Sequence, residues 1–240
     1  MQLNSQVNVQ AAQSEIRQQG RTRLANFLNS DDLSALCREV DAINQWNLVS
    51  RLQGRHLDLD AQAMQGISSA QRQEFYRRLA EEPGFTYLFE NYPIYDKWHS
   101  GALKATTPQL AKVFTLLNSA PVLQLMRELL DAPDIGFADA QLTRYRAGHF
   151  LDKHDDAVEG KSRVAAYVLS LSHGWQPQWG GALEFYHPDG SVSERFLPQL
   201  NTLSLFAVPV PHAVTRVKAD IQAHRLSITG WFRCGEDPGP

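Results

Sequence analysis

Apolar residues recur at helical spacing through the first half of the chain and at strand spacing through the second. Leu33, Leu36, Cys37 and Val40 fall at i, i+3, i+4 and i+7, which is one face of an α-helix. Ser30 or Asp31 is the expected cap of that helix. Val122, Leu125, Met126 and Leu129 repeat the pattern in a helix over 120–131, with Ser119 as its candidate cap. Further helices are predicted over 69–81 and 108–117, all packing against a sheet. Residues 1–20 are polar and glutamine-rich and read as a loose lead-in or a weak helix. The run 23–28 reads as a short strand.

Past residue 138 the period shortens. Strand-like runs lie at 140–146, 150–154, 164–171, 182–186, 192–196, 202–208, 214–217 and 226–233. Gly148, Gly180-Gly181 and Asp189-Gly190 punctuate them as turns. About eight short strands with such punctuation predict a two-sheet jelly roll, or double-stranded β-helix. The fold class expected is therefore mainly β with flanking helices (α+β). With no internal repeat or linker, residues 21–240 read as one domain, with helical support over 21–138 and a jelly-roll core over 139–235.

Composition narrows the function classes. At 43% hydrophobic and 20% charged, the chain is ordinary for a globular protein. Up to residue 138 there are 13 basic and 15 acidic residues, and beyond it 10 and 11. Neither part is basic, so nucleic-acid binding is not expected. Cys37 and Cys234 make no disulfide framework, and Cys37 on its apolar helix face reads as a buried structural thiol. The start lacks a basic n-region and an apolar h-region, and no run of 18 apolar residues exists for a membrane span. A cytoplasmic location is the expectation.

Candidate chemistry lies in the strand-rich part. His154 and Asp156 are two apart, and on an extended strand both would share a face. With His212 from a distant strand they would make a set of two imidazoles and one carboxylate with open coordination positions, which suits non-haem Fe(II). A lone His-x-Asp is weak evidence, and the other histidines, at 56, 99, 149, 173, 187 and 224, read as turn caps or surface residues. Context strengthens the motif. Arg225, Ser227 and Thr229 alternate along the last strand, so a guanidinium and hydroxyls would share a face and make a carboxylate pocket. The bland alternative is a structural arginine paired with an acidic neighbour. Phe85, Tyr87 and Phe89 alternate as well. Packing in the core is preferred there over the wall of a substrate groove, and Trp175 and Trp231 read as core or pocket wall.

The stretches Tyr145–Asp156 (YRAGHFLDKHDD), Arg163–Tyr186 with Trp175 and Gly180-Gly181, Pro198–Phe206 (PQLNTLSLF), His212–Val217 and Arg225–Phe232 (RLSITGWF) resemble the prolyl 4-hydroxylase-like branch of the 2-oxoglutarate and Fe(II)-dependent oxygenases. Within it the chain is most similar to the ribosomal-protein prolyl hydroxylases, over their catalytic domain only. The runs 26–28 and 85–95 resemble the amino-terminal part of that family. The resemblance implies iron on His154, Asp156 and His212, the distal 2-oxoglutarate carboxylate on Arg225, and Tyr145 in the co-substrate pocket. Ser170 stands where relatives often carry a tyrosine that supports 2-oxoglutarate. Fe(II), 2-oxoglutarate and O2 are the implied cofactors, with ascorbate as a supporting reductant. The implied partner is a protein or peptide bearing proline. Two other functions remain open: hydroxylation of a free amino acid or metabolite, and a metal-binding jelly-roll sensor without turnover.

Overall fold

The computed structural model describes residues 1–4 and 7–239. The chain opens with α1 (Val9–Gln19), β1 (Arg21–Ala25), α2 (Ser30–Asp41) and the hairpin β2 (Asn47–Leu52) and β3 (Arg55–Leu59). There follow α3 (Ala61–Gln65), α4 (Ser69–Ala80), β4 (Tyr87–Tyr92), the short α5 (Ile94–His99) and α6 (Ala102–Thr106), then α7 (Pro108–Leu117) and α8 (Ala120–Leu130). Strands then dominate: β5 (Ile135–Ala138), β6 (Gln141–Tyr145), β7 (Phe150–His154), β8 (Arg163–Ser170), β9 (Leu183–Tyr186), β10 (Val192–Phe196), β11 (Thr202–Ala207), β12 (His212–Val214) and β13 (Arg225–Cys234). Residues 9–19, expected as loose or weakly helical, form a helix capped by the Asn8 side chain.

The strands hydrogen-bond in the order β1-β11-β8-β13-β6-β4-β7-β12-β9-β10, with β2 and β3 attached at β4 and β5 at β13. β4 turns the corner. Its residues Glu90–Tyr92 pair with β6, whereas Tyr87 and Leu88 pair with β7. One strand thus belongs to both walls, and the antiparallel sheet curls over its own concave face as a jelly roll.

Alternation sorts the side chains between two cores. On β8, Ala165, Tyr167 and Leu169 face the helices and pack with Leu36, Leu110, Phe114, Val122 and Met126. Ala166 and Val168 face inward, with Tyr145, Leu183, Phe206 and Val214. The apolar stripes of α2 and α8 therefore cover the convex face and leave the concave face for a site.

Two caps differ from expectation. Asn29, not Ser30 or Asp31, caps α2, its Oδ1 accepting from Asp32 N at 2.9 Å. Ser119 sits at the cap position of α8, yet its hydroxyl donates back to Leu116 O at 2.7 Å. Cys37 is only partly buried, because the stripe of α2 is narrower than its sequence spacing implies.

Beyond the ladder of β1 with β11, one side chain fastens the segment that follows β1. Asn201 Oδ1 accepts from Leu28 N at 2.8 Å, and its Nδ2 donates to Leu28 O at 2.7 Å. Both backbone groups are buried. Asn201→Ala would leave two buried polar groups unpaired, so a loss of about 2–4 kcal/mol is expected. Urea denaturation would measure it, and an unchanged midpoint would contradict the assignment.

Candidate active site

Three ligand atoms converge on the concave face. His154 Nε2 lies 3.3 Å from Asp156 Oδ1, and His212 Nε2 lies 3.4 Å from Asp156 Oδ2. One ligand atom from each of the three residues falls within 4.8 Å of the others. Register accounts for the two histidines: His212 is the direct cross-strand partner of His154, and their ring centroids are 4.2 Å apart.

The carboxylate arrives differently from the sequence reading. His154 is the last residue of β7 and Asp156 lies beyond it with φ +63, so strand alternation does not pair them. A left-handed turn swings Asp156 back toward His154, a conformation that aspartate tolerates better than most residues. Arg163 holds the turn, donating to Asp156 O at 3.1 Å while lying 3.6 Å from the centroid of the Trp231 ring. His212 also differs. Its strand begins at His212 itself rather than at residue 214, which makes the histidine part of the ladder.

The tautomers follow from the outer partners. His154 Nδ1 is 2.9 Å from Asp152 O and His212 Nδ1 is 2.8 Å from Val210 O. A carbonyl only accepts, so each Nδ1 carries the proton and each Nε2 presents a lone pair toward the shared point. Burial lowers the His212 pKa to about 4, which keeps that imidazole neutral at pH 7. Burial would raise Asp156, but the two histidines beside it outweigh burial and hold its pKa below the usual value. Two neutral nitrogens and one anionic oxygen on one side of a point fit a divalent metal with open positions, Fe(II) among them.

The same cavity, about 530 Å³, contains Tyr145 and Arg225. Arg225 is 3% exposed, and its Nε has no hydrogen-bond partner. It forms no ion pair among the described residues. Its guanidinium lies 5.0 Å from the centroid of the Tyr145 ring, and burial lowers its pKa, partly offset by Tyr145. Burial likewise pushes the Tyr145 phenol up to about 12, so it stays protonated and can donate. The arginine stem rests against Gly181, where a Cβ would stand 3.1 Å from Arg225 Cδ and 3.1 Å from the Trp175 ring, at φ +68. The bland reading of Arg225 as half of a structural ion pair therefore has no partner to support it.

Ser227 lies between Arg225 and Thr229 on the shared face but is fully covered and does not line the cavity. Its Oγ is unpartnered, and its cross-strand neighbour is Ser170. Thr229 and Thr143 line the cavity in its place. The aromatic series serves both readings, since Phe89 is buried with Val49 and Tyr145 in the inner core and Tyr87 packs against it. Phe85, Tyr87 and Phe89 form a cavity wall, with ring centroids 5.5 and 5.8 Å apart, continuing to Tyr145 at 5.5 Å and from Phe85 to His154 at 5.5 Å. The opposite face of β4 packs into the outer cores through Leu88 and Tyr92. Arg163 carried no assigned role in the sequence, because its contact with Asp156 depends on the turn.

Residues 140–233 match the family model described as the 2OG-Fe(II) oxygenase superfamily. The match is confined to the strand-rich part of the chain. That family implies Fe(II), 2-oxoglutarate and O2, and the donor set of His154, Asp156 and His212 fits the metal. The mouse prolyl 3-hydroxylase OGFOD1 is 35% identical over 101 residues, covering 39% of this chain and 18% of that protein. The chain thus spans less than a fifth of that relative's length. A Pseudomonas putida prolyl-4-hydroxylase structure superposes with TM-score 0.60 at 21% identity, covering 95% of this chain and 99% of that one. A Trichoplax adhaerens prolyl hydroxylase, in complex with a hypoxia inducible factor peptide fragment, gives TM-score 0.53 at 16% identity over 94% and 88%. These structural likenesses establish the shared jelly-roll fold. No helix among the described residues is long and apolar enough to cross a membrane.

If the triad holds the metal, purified protein binds one Mn(II) or Fe(II) per chain, and His154→Ala, Asp156→Ala or His212→Ala each removes that binding. His224→Ala should leave it intact, since His224 lies outside the cavity lining. Full metal affinity in His212→Ala, measured by calorimetry, would contradict this ligand set.

Proposed function

We propose that the protein is an Fe(II)- and 2-oxoglutarate-dependent dioxygenase that hydroxylates an unactivated C–H bond of a prolyl residue in a protein or peptide. The observation that carries the reading is Arg225: a buried guanidinium without a counter-ion, in one cavity with a three-donor metal set. A dicarboxylate suits both features. One end would reach the metal, and the other would supply the anion that Arg225 lacks, held by a planar two-bond fork. Tyr145, kept protonated by burial, would add a hydrogen bond to that carboxylate.

Bound iron and 2-oxoglutarate supply the oxygen activation, which is chemistry beyond any amino-acid side chain. The protein's own contribution is placement. His154, Asp156 and His212 would hold the metal at the cavity wall, where the cavity would give the co-substrate access to it. Val168, Leu183, Phe206 and Val214 exclude water around it. Phe85 and Tyr87 stand at the edge of the cavity beside His154, where flat rings can hold a pyrrolidine and orient one C–H bond.

Support for a prolyl substrate comes from the relatives' printed descriptions: a prolyl 3-hydroxylase, and prolyl hydroxylases that include one with a bound peptide. The deciding assay is succinate formation coupled to product detection, comparing protein fractions and proline peptides with free proline and other amino acids. Coupled turnover with a +16 Da mark on a prolyl residue is expected. Coupled turnover with a free amino acid alone would reassign the enzyme to small molecules.

A further inference from the structure

The concave face that carries Arg225 and Tyr145 extends past the triad. Thr229 stands opposite Gln141, Thr143 opposite Asn91, Phe89 opposite Val49, and Val49 opposite Asp58. Directly opposed residues of an antiparallel pair project to the same side, so this face continues without a break from β13 to β3. A shallower cavity of about 200 Å³ lies there, sharing Asp58, Asn91, Gln141, Thr229 and Trp231 with the first. Tyr95 and Asp96 form its outer wall.

Two buried groups of residues lining this outer end lack a partner, the acceptor Asn91 Oδ1 and the donor Trp231 Nε1. Asn91 is 8% exposed, donates Nδ2 to Gln141 Oε1 at 3.1 Å, and has no donor for its Oδ1. Asp58 and Asp96 form no salt bridge among the described residues. The third carboxylate, Asp139, is engaged by Trp231 N at 2.8 Å and by Arg233 at 3.3 Å. No lysine, arginine or histidine lines this outer cavity. Burial raises the pKa of Asp58 and the charges of Asp96 and Asp60 add to it, against His56 and Asn47, which lower it. Two carboxylates, Asp58 and Asp96, thus face this end without an ion-pair partner among the described residues.

We propose that this outer end is a cation subsite, which takes the guanidinium of an arginine flanking the residue presented to the metal. The proposal rests on the protein-substrate reading above. A guanidinium carries five donors in a plane and can serve Asn91 Oδ1 and the carboxylates together, with its flat face against Tyr95 or Trp231. An apolar side chain would leave the acceptors unmet, and a neutral amide would leave the carboxylate charge unbalanced. The subsite would thus select substrate segments by a charged neighbour, while the metal end selects the reacting bond.

The test uses protein loaded with Mn(II) and 2-oxoglutarate. Fluorescein-labelled proline peptides carrying arginine at successive offsets are compared, by anisotropy, with twins carrying citrulline, the neutral isostere. At least one arginine register should bind about fivefold tighter at low ionic strength, a difference that shrinks with salt. The double variant Asp58→Asn, Asp96→Asn should erase the difference while keeping wild-type affinity for Mn(II) and 2-oxoglutarate. Equal affinities for every pair, or a preference that survives the double variant, would overturn the subsite. Argininamide against citrullinamide repeats the comparison without a peptide. Saturable binding of argininamide, lost in the double variant, would uphold the subsite even if no protein fraction were turned over, a result that would sink the protein-substrate reading alone. Binding of neither argininamide nor any arginine peptide would overturn it.

Discussion

Arg225 holds a full positive charge in the closed end of a curled sheet with no anion beside it, and much of the architecture serves that arrangement. A buried charge without a partner is costly. Its backbone is fixed by pairing with Tyr145 on β6. Gly181 leaves room for its stem and for the Trp175 indole, which is tied to Gly180 O at 2.8 Å. Gly180 cannot be replaced freely either, because a Cβ there would stand 2.1 Å from Arg216 O. The fold sustains an unfavourable local state that an anionic ligand would relieve, so ligand binding and stability should be linked.

The opposite sign is arranged at the triad. Asp156 stays ionised despite burial, and two imidazoles turn their lone pairs inward because backbone carbonyls engage their other nitrogens. Neither histidine needs a carboxylate in its outer layer, since the backbone of β7 and the approach to β12 supply the acceptors. The corner strand β4 brings the two halves together. It pairs with β6 beside Arg225 and with β7 beside His154, so the cation and the metal donors share one cavity.

The candidate ligand set was legible in the sequence through the order of its residues and the arginine that trails them. The reason first given for their proximity was incomplete. Strand alternation accounts for Arg225 and Thr229, whereas Asp156 reaches His154 through a left-handed turn that no periodicity signals. The hairpin β2–β3 escaped detection for a similar reason. Its turn at Gln53 and Gly54 uses two positive φ angles without the usual Asn-Gly pair, and β3 is largely exposed, so it lacks a hydrophobic rhythm. Phe85, Tyr87 and Phe89 showed the period of a strand correctly, but period alone does not distinguish a cavity wall from a packed core. Tyr87 and Phe89 are both at once, packed in the inner core and lining the cavity beside the triad.

The central claim is that Arg225 is the anion partner of a metal-bound dicarboxylate. Anaerobic calorimetric titration of 2-oxoglutarate into Mn(II)-loaded protein tests it most directly, with Arg225→Gln as the comparison. The account predicts one saturable site in the wild type that needs the metal. In Arg225→Gln the affinity should fall by about 10- to 100-fold, the equivalent of about 1.5–3 kcal/mol for a charge-assisted contact, with Mn(II) binding unchanged. Equal affinity in the two proteins, or no saturable binding in the metal-loaded wild type, would contradict it.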